Sequence, residues 1–257
     1  MQNLFPFIEL RLTLRCNMRC RNCIRGCNCE EVMGVKYGPE SDMTLGQIRE
    51  LVRQLQGIAK TIAWSDKRVA EFVNISGGEP LLHPHVEWVF WLLYEALVVP
   101  GVVERLSVNS NLTLEPPASL RPYIVNVIPP AEKARRHLQV FTGPEALGYA
   151  RGNWQQCPHS SHKRVPEVTF QGVSLCCGAG GLISMFGRGD LMLDRVPWGV
   201  AEFPDIDEMC AVCTGFHSLG EIPPEETVGR PVSPLFAEQG RLNAAGRQIT
   251  KRFPEIR

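Results

Sequence analysis

Residues 12–26, with the sequence LTLRCNMRCRNCIRG, carry three cysteines directly after an apolar, strand-like segment. Cys16 and Cys20 are separated by three residues, and Cys20 and Cys23 by two. Three thiolates at this spacing can hold three irons of a 4Fe-4S cluster, and the missing fourth ligand leaves one iron open to bind another molecule. The stretch therefore predicts an iron-sulfur site with an open coordination position at the end of a strand.

Composition limits the classes of partner and compartment. Lysine plus arginine and aspartate plus glutamate each number 27, so no net charge draws the chain to nucleic acid or an anionic membrane. The apolar stretch 89–103 is broken by Glu95, Pro100 and Gly101, and the N-terminus lacks a signal-peptide pattern. Ten cysteines then favour metal ligation over disulfides. We expect a cytoplasmic protein that acts on a small or locally recognised substrate.

Hydrophobic periodicity predicts alternating strands and helices in the first half of the chain. Strands are predicted at residues 7–14, 71–75, 102–108 and 123–128. One helix is predicted to begin at a capping box formed by Thr44 and Gln47, and a second to cover residues 84–98. This order is typical of parallel β/α units, whose active sites gather at the carboxyl ends of the strands.

Three motifs follow the first three predicted strands. The cysteine loop follows the first, the segment 77–80 (GGEP) the second, and the segment 109–111 (NSN) the third. The two glycines permit a close backbone approach, and Glu79 supplies a carboxylate. A Gly-Gly-Glu turn alone is weak evidence of function, but the cysteine loop on the neighbouring strand end makes the combination specific.

The cysteine loop and the GGEP segment together resemble the radical S-adenosylmethionine (radical SAM) enzymes. The resemblance implies that Cys16, Cys20 and Cys23 ligate a 4Fe-4S cluster whose fourth iron chelates the amino and carboxylate groups of S-adenosylmethionine. It further implies reductive cleavage of that cofactor to methionine and a 5′-deoxyadenosyl radical, which abstracts a substrate hydrogen.

The resemblance also implies the residues that contact the cofactor. Gly77, Gly78 and Glu79 would receive the methionyl amino group, with the Glu79 carboxylate or backbone carbonyls as acceptors. Asn109 and Asn111 correspond to the family's strand-three segment near the cofactor.

The implied fold class is α/β, with a partial radical SAM β/α barrel of parallel strands over residues 1–150. The stretch between Pro129 and Cys157 is too short to complete eight units, so the barrel is expected to be truncated. Residues 151–230 resemble the small auxiliary-cluster domain of this family, called a twitch domain and related to the longer SPASM domain. Residues 231–257 are expected to form a polar C-terminal tail.

The later cysteines resemble the ligands of an auxiliary 4Fe-4S cluster. The implied ligands are Cys157, Cys210, Cys213 and one of the adjacent pair Cys176 and Cys177. Counting from Gly172 selects Cys177, whereas aligning VSLCC on Val173 selects Cys176. A fully ligated cluster implies electron transfer and therefore favours oxidation of the substrate. A structural zinc site built from the same thiolates is the alternative.

The implied function is oxidation of a small polar metabolite or natural-product intermediate. Within the family, the length and single auxiliary site resemble the dehydrogenases that oxidise an aminocyclitol alcohol, and they imply a flavodoxin- or ferredoxin-type electron donor. A peptide maturase is the first alternative, although the chain begins almost at strand one without a leader-peptide-binding domain. A sugar or cyclitol epimerase is the second, and a catalytically silent iron-sulfur or zinc scaffold the third.

Residues for proton and hydrogen transfer are less constrained by the sequence. Cys27 and Cys29 belong to neither ligand set and are expected to be free thiols on the loop, although an epimerase would use one as a hydrogen donor. An oxidation needs a general base, and four residues near Cys157 qualify by position: Arg151, His159, His162 and Lys163.

Overall fold

The computed structural model describes residues 3–18, 23, 25, 27, 37–62, 68–125, 157, 165–204, 207–213, 238, 241–242 and 253–256. Its strands are β1 (Phe5–Thr13), β2 (Ala70–Gly77), β3 (Val103–Val108), β4 (Glu167–Thr169) and β5 (Gly172–Ser174). Its α-helices are α1 (Leu45–Ile62), α2 (Val86–Leu93), α3 (Cys177–Met185) and α4 (Asp207–Ala211). A π-helical turn, Tyr94–Val98, extends α2. Short 3-10 turns cover Pro39–Ser41, Pro80–Leu82, Arg121–Tyr123, Gly189–Leu191 and Val200–Glu202.

The strands form one mostly parallel sheet in the order β3-β2-β1-β4-β5. β1, β2 and β3 run parallel to one another, β4 runs parallel to β1, and β5 is antiparallel to β4. The predicted α/β class with parallel strands is therefore confirmed. No helix among the described segments combines the length and the apolar character that crossing a bilayer requires.

The two faces of the sheet differ in chemistry because side chains alternate along each strand. Ile8, Leu10 and Leu12 of β1 lie in the main hydrophobic core with residues of α1 and α2. Glu9 and Arg11 lie on the opposite face, which we call the inner face, and they are also buried. The same strands that form this polar inner face carry the three motifs at their carboxyl ends.

The helix start predicted at Thr44 is confirmed. The backbone N–H of Gln47 donates to Thr44 Oγ1 at 3.1 Å, and the backbone N–H of Thr44 donates to Gln47 Oε1 at 3.0 Å. These reciprocal bonds satisfy two donors that a helix start leaves open. Gln47 also donates through its amide to the Phe253 carbonyl at 2.8 Å, which ties the helix start to the end of the chain.

The predicted fourth strand, residues 123–128, differs in its described part. Arg121–Tyr123 form a 3-10 turn, and Ile124 makes a single parallel bridge to Val108. Pro122 within that turn lacks a backbone donor and fixes its own φ, which suits a turn better than a strand. Residues 126–128 lie outside the described part of the chain.

The sheet continues across the predicted domain boundary at residue 150. Val168 of β4 and Val173 of β5 lie in the main core, so both strands extend the sheet that β1 begins. A second, smaller core forms between α3 and α4, where Leu182 and Met209 are buried. The predicted C-terminal tail is not wholly superficial, because Phe253 is 1% exposed within the main core.

Candidate functional site

The carboxyl ends of β1, β2 and β3 bring the three predicted motifs together. The backbone N–H of Glu79 donates to the Arg15 carbonyl at 2.8 Å, directly beside Cys16. Asn111 Nδ2 lies 3.8 Å from Cys16 Sγ and donates to Asn17 Oδ1 at 3.0 Å. Cys16, Glu79 and Asn111 therefore meet at one edge of the sheet, where parallel strands place active sites.

Gly77 and Gly78 are required by the close approach of β2 to the end of β1. A Cβ atom on Gly77 would lie 2.6 Å from the Thr13 carbonyl oxygen, and one on Gly78 would overlap the Arg15 carbonyl. Neither glycine has a positive φ, so steric space decides the residue type. The sequence predicted that the two glycines permit a close backbone approach. The backbone that approaches them belongs to Thr13 and Arg15 of the chain itself.

Glu79 is fully buried, and its carboxylate is occupied by the protein. Oε1 accepts hydrogen bonds from Leu81 N at 3.0 Å and Ser110 Oγ at 2.8 Å, while Oε2 accepts one from Asn111 N at 2.7 Å. The carboxylate therefore fastens the loops after β2 and β3 to each other. Of the two acceptors that the sequence left open for an amino group, this arrangement favours the backbone carbonyls over the Glu79 side chain.

Asn109 presents an unpaired acceptor at the same edge. Its backbone N–H donates to the Ile75 carbonyl at 2.8 Å, but its buried Oδ1 has no hydrogen-bond partner within the described segments. A buried polar atom without a partner is costly, and a bound donor would satisfy it. An acceptor left open in this way is compatible with the predicted contact of Asn109 with a cofactor.

A salt bridge that the sequence did not predict supports the residue before Cys16. Arg15 donates through Nε to Asp42 Oδ1 at 3.0 Å and through Nη2 to Asp42 Oδ2 at 2.6 Å. Arg15 Nη2 also donates to the Leu82 carbonyl at 2.7 Å, and Thr13 Oγ1 donates to Asp42 Oδ1 at 2.5 Å. The pair holds the start of the cysteine loop against two other segments.

Cys23 and Cys27 lie side by side in the cysteine loop. A hydrogen bond from the Cys27 thiol lowers the pKa of Cys23, and the same bond together with burial raises the pKa of Cys27. Cys27 is a free cysteine, as expected, and it is buried at 1% exposure. A thiolate at Cys23 is the form that ligates metal. Cys20 and Cys29 lie outside the described residues.

Four charged side chains pair on the inner face. Arg11 binds Glu167 through Nε to Oε1 at 2.9 Å and through Nη2 to Oε2 at 2.5 Å, with both side chains at most 1% exposed. Arg25, from the cysteine loop, pairs with Glu9 and lies 3.5 Å from Glu167 Oε1. Burial opposes the charge on Arg11, but Glu167 outweighs this and the pKa of Arg11 is raised. The two positive charges are thus balanced by two negative charges.

The second cysteine set separates Cys176 from Cys177. Cys176 packs against the smaller core together with Cys210 and Cys213. Burial raises the pKa of Cys176, and the nearby thiols of Cys213, Cys157 and Cys210 raise it further. Its sulfur accepts a hydrogen bond from Ala179 N at 3.4 Å. Cys176 is therefore the member of the adjacent pair that faces the other late cysteines.

Cys177 has different surroundings, because it lies near the charged residues Glu167, Arg25 and Arg11 of the inner face. Burial and the charge of Glu167 raise its pKa, Arg25 and Arg11 lower it, and the net effect is a pKa of about 12. Its backbone carbonyl lies 3.4 Å from Arg11 Nη2. These surroundings favour Cys176 over Cys177 as the fourth member of the late cysteine set.

Other predicted residues fall outside this description. Arg151, His159, His162 and Lys163 lie among residues that the structure does not describe. Within the part of the chain that it does describe, no three His, Cys, Asp or Glu side chains are arranged to hold a metal ion. No known family model matches this chain, and no curated protein matches it.

Proposed function

We propose that this chain is a radical SAM oxidoreductase that oxidises a small polar metabolite. The observation that carries the proposal is the meeting of Cys16, the Gly77–Glu79 segment and Asn111 at the carboxyl ends of three parallel strands. A spacing match alone could arise in a loop of any fold. The contact between residues of the first and third strand ends is an independent argument for a shared site.

Residues at these strand ends are suited to hold an iron-sulfur cluster together with S-adenosylmethionine. Cys16, Cys20 and Cys23 would hold the cluster, and the lowered pKa of Cys23 favours its ligating form. Backbone carbonyls of the glycine segment and the unpaired Oδ1 of Asn109 would receive donors from S-adenosylmethionine. The chemistry supplied by the bound cluster and cofactor is one-electron cleavage to a radical that abstracts a hydrogen atom.

The inner face is the proposed substrate surface. Ser107 Oγ donates to Asn74 Oδ1 at 3.0 Å, and Ser76 Oγ donates to Glu9 Oε1 at 2.8 Å. Asn74 is half-buried on this face. Ser76 and Ser107 are themselves buried, so the half-buried Asn74 is the group among these that would orient a polar substrate by a hydrogen bond.

The late cysteines would hold an auxiliary cluster that accepts the electron released by the oxidation. The proposed ligands are Cys157, Cys176, Cys210 and Cys213. The N–H of Ala179 directed at Cys176 is the type of hydrogen bond that tunes the potential of an iron-sulfur cluster. An epimerase that returns hydrogen from Cys27 is disfavoured, because that thiol is buried against Cys23.

Anaerobic reconstitution followed by cofactor cleavage tests the proposal. The protein should bind about eight irons and eight sulfides per chain, as two 4Fe-4S clusters require. Dithionite and S-adenosylmethionine should then yield 5′-deoxyadenosine. A Cys16→Ala, Cys20→Ala, Cys23→Ala variant should keep about four irons and yield none, whereas Cys27→Ala should retain the activity. Folded, cluster-loaded protein that releases no 5′-deoxyadenosine would favour a silent scaffold instead.

A further inference from the structure

One short segment, residues 253–256, is fixed to the fold by a buried ring and by hydrogen bonds, and we call it the strap. The Phe253 ring is 1% exposed in the main core, whereas the other three residues of the strap are exposed. The Phe253 N–H donates at 2.8 Å to the carbonyl of Phe170, in the turn between β4 and β5, and the Ile256 N–H donates to the Gly46 carbonyl of α1 at 3.3 Å. A segment with so little buried surface opens locally at a lower cost than the core.

Gln47 joins the strap to two elements at once. It is 2% exposed, and its Nε2 donates to the Phe253 carbonyl at 2.8 Å and to the Phe170 carbonyl at 3.0 Å. A Cβ atom on Gly46 would lie 2.7 Å from the Ile256 carbonyl oxygen, so the backbones of the strap and α1 are in close contact there. The strap therefore closes a junction between the start of α1 and the β4–β5 turn.

Three consecutive residues lead from the strap to the start of the cysteine loop. Thr44 Oγ1 donates to Glu255 Oε2 of the strap at 2.5 Å. Met43 is 1% exposed, and its N–H donates to a carbonyl of β1 at 2.9 Å. Asp42 binds Arg15, which precedes the first cysteine of the loop, through both carboxylate oxygens. The strap and that cysteine are thus connected through one short stretch of backbone.

We infer that the strap controls the order of the cysteine-loop edge of the site. When it is docked, it holds residues 42–47 where Asp42 fixes Arg15. When it is released, the start of α1 loses those contacts, so residues 42–44 and the backbone around Cys16 loosen and the half-buried Cys16 thiol becomes accessible. The two states differ by a local opening, which proceeds without global unfolding. The inference involves the chain's own residues alone and does not depend on the proposed function.

Gln47→Glu tests the inference in the full-length protein. The glutamate keeps the oxygen that accepts from the Thr44 N–H, so the capping box remains. It replaces the amide donor with a second oxygen beside the Phe253 and Phe170 carbonyls, and at about pH 8 the carboxylate repels both. Amide hydrogen exchange should rise roughly fivefold or more in the strap, in residues 42–44 and in residues 14–16, because one lost hydrogen bond changes an opening equilibrium by about that factor. After metal removal with a chelator, iodoacetamide should alkylate Cys16 faster by a similar factor, as mapped by mass spectrometry.

Matched substitutions separate release of the strap from general destabilisation. Gln56→Glu makes the same change on the same helix, where Gln56 Nε2 donates to the Ala96 carbonyl at 3.0 Å, and it should leave exchange in all three regions unchanged. Phe253→Leu and Phe90→Leu each replace a buried phenylalanine of the main core. Phe253→Leu should reproduce the effect of Gln47→Glu, whereas Phe90→Leu should not, because local exchange does not pass through global unfolding.

An increase in exchange that is confined to the strap would overturn the inference, since the strap would then be a passive contact. The same increase in Gln56→Glu or Phe90→Leu would also overturn it, as would strap amides that already exchange in the parent as in an unfolded chain. Phe253→Leu decides the question if Gln47→Glu fails to fold. None of these measurements uses a cluster or S-adenosylmethionine, so their outcome is separate from that of the proposed function.

Discussion

Glu79 accepts a hydrogen bond from the backbone N–H of Asn111 through its buried Oε2, at 2.7 Å. The bond joins the loop after β2 to the loop after β3 within the site. Ser110 and Leu81 donate to the other carboxylate oxygen, so one side chain orders both loops. The family resemblance predicts that Glu79 contacts a cofactor. Within the protein, its carboxylate holds the two loops of the site together.

Replacing Glu79 should reveal this structural role in a stability measurement. Glu79→Ala leaves three donors without an acceptor, and bonds to charged groups contribute roughly 1.5–3 kcal/mol each, so the free energy of unfolding should fall by about 3 kcal/mol or more. Glu79→Gln keeps one acceptor oxygen and should lose less. Urea denaturation of both variants measures the difference. Equal losses in the two variants would contradict the assigned role.

Gly78 should be intolerant of even one added methyl group. In Gly78→Ala the new Cβ would overlap the Arg15 carbonyl and lie 2.8 Å from the Leu14 carbonyl, and these backbone atoms cannot rotate away. Overpacking of this kind costs roughly 1–3 kcal/mol, and we expect at least the upper end. Thermal and urea unfolding measure the loss.

Gly57→Ala is the matched control for that substitution. Gly57 lies within α1, and an added Cβ meets no atom within 4 Å. Alanine is favoured over glycine in a helix interior by roughly 0.5–1 kcal/mol, so this variant should gain stability. A similar loss of stability in both variants would show that the close approach at Gly78 is not what excludes a larger side chain at that position.

Sequence periodicity predicted the elements of this fold better than it predicted the contacts between them. The Thr44–Gln47 capping box and the three strand ends depend on local spacing, and the structure contains them. The Arg11–Glu167 pair joins residues 156 positions apart, a separation over which no local pattern carries information. The strand predicted at residues 123–128 had suitable residues, but Pro122 favoured a turn at its described start.

The choice between Cys176 and Cys177 shows a second limit of spacing arguments. Cys176 is the extended N-cap of α3, with φ −159° and ψ 167°, and Cys177 is the first residue of the helix. Cys176 packs in the smaller core near the other late cysteines, whereas Cys177 lies near Glu167, Arg25 and Arg11. Spacing from Gly172 or Val173 selects a position along the chain, and it contains no information about those surroundings.

His83 should make the stability of the fold depend on pH. Its Nε2 lies 3.0 Å from the Met43 carbonyl, and its Nδ1 accepts from His85 N at 3.2 Å, so the neutral ring satisfies both contacts. Burial lowers the pKa of His83 in the folded state. The unfolded chain therefore binds a proton first, and stability contributed by the neutral ring is present above about pH 6.5 and is lost as the pH falls below it.

A comparison with His83→Gln isolates this contribution. A glutamine amide can donate to the Met43 carbonyl but does not titrate, so the variant should lack the histidine component of the pH dependence. Urea denaturation between about pH 5 and pH 8 should show the parent losing stability relative to the variant as the pH falls. Parallel curves for the two proteins would contradict the assigned protonation state.

The adjacent cysteines provide the sharpest test of the auxiliary site, because they are neighbours in sequence and have different surroundings. Cys176→Ala should reduce reconstituted iron from about eight to about four per chain, since it removes a proposed ligand. Cys177→Ala should keep about eight irons, because that thiol faces the Arg11–Glu167 pair instead of the late cysteines. Each variant removes one half-buried sulfur from the start of α3, and Cys176→Ala also removes the hydrogen bond from Ala179 N, so urea denaturation of both variants measures any difference in destabilisation. Iron and sulfide analysis of the reconstituted proteins measures the result, and loss of iron in Cys177→Ala alone would reverse the assignment.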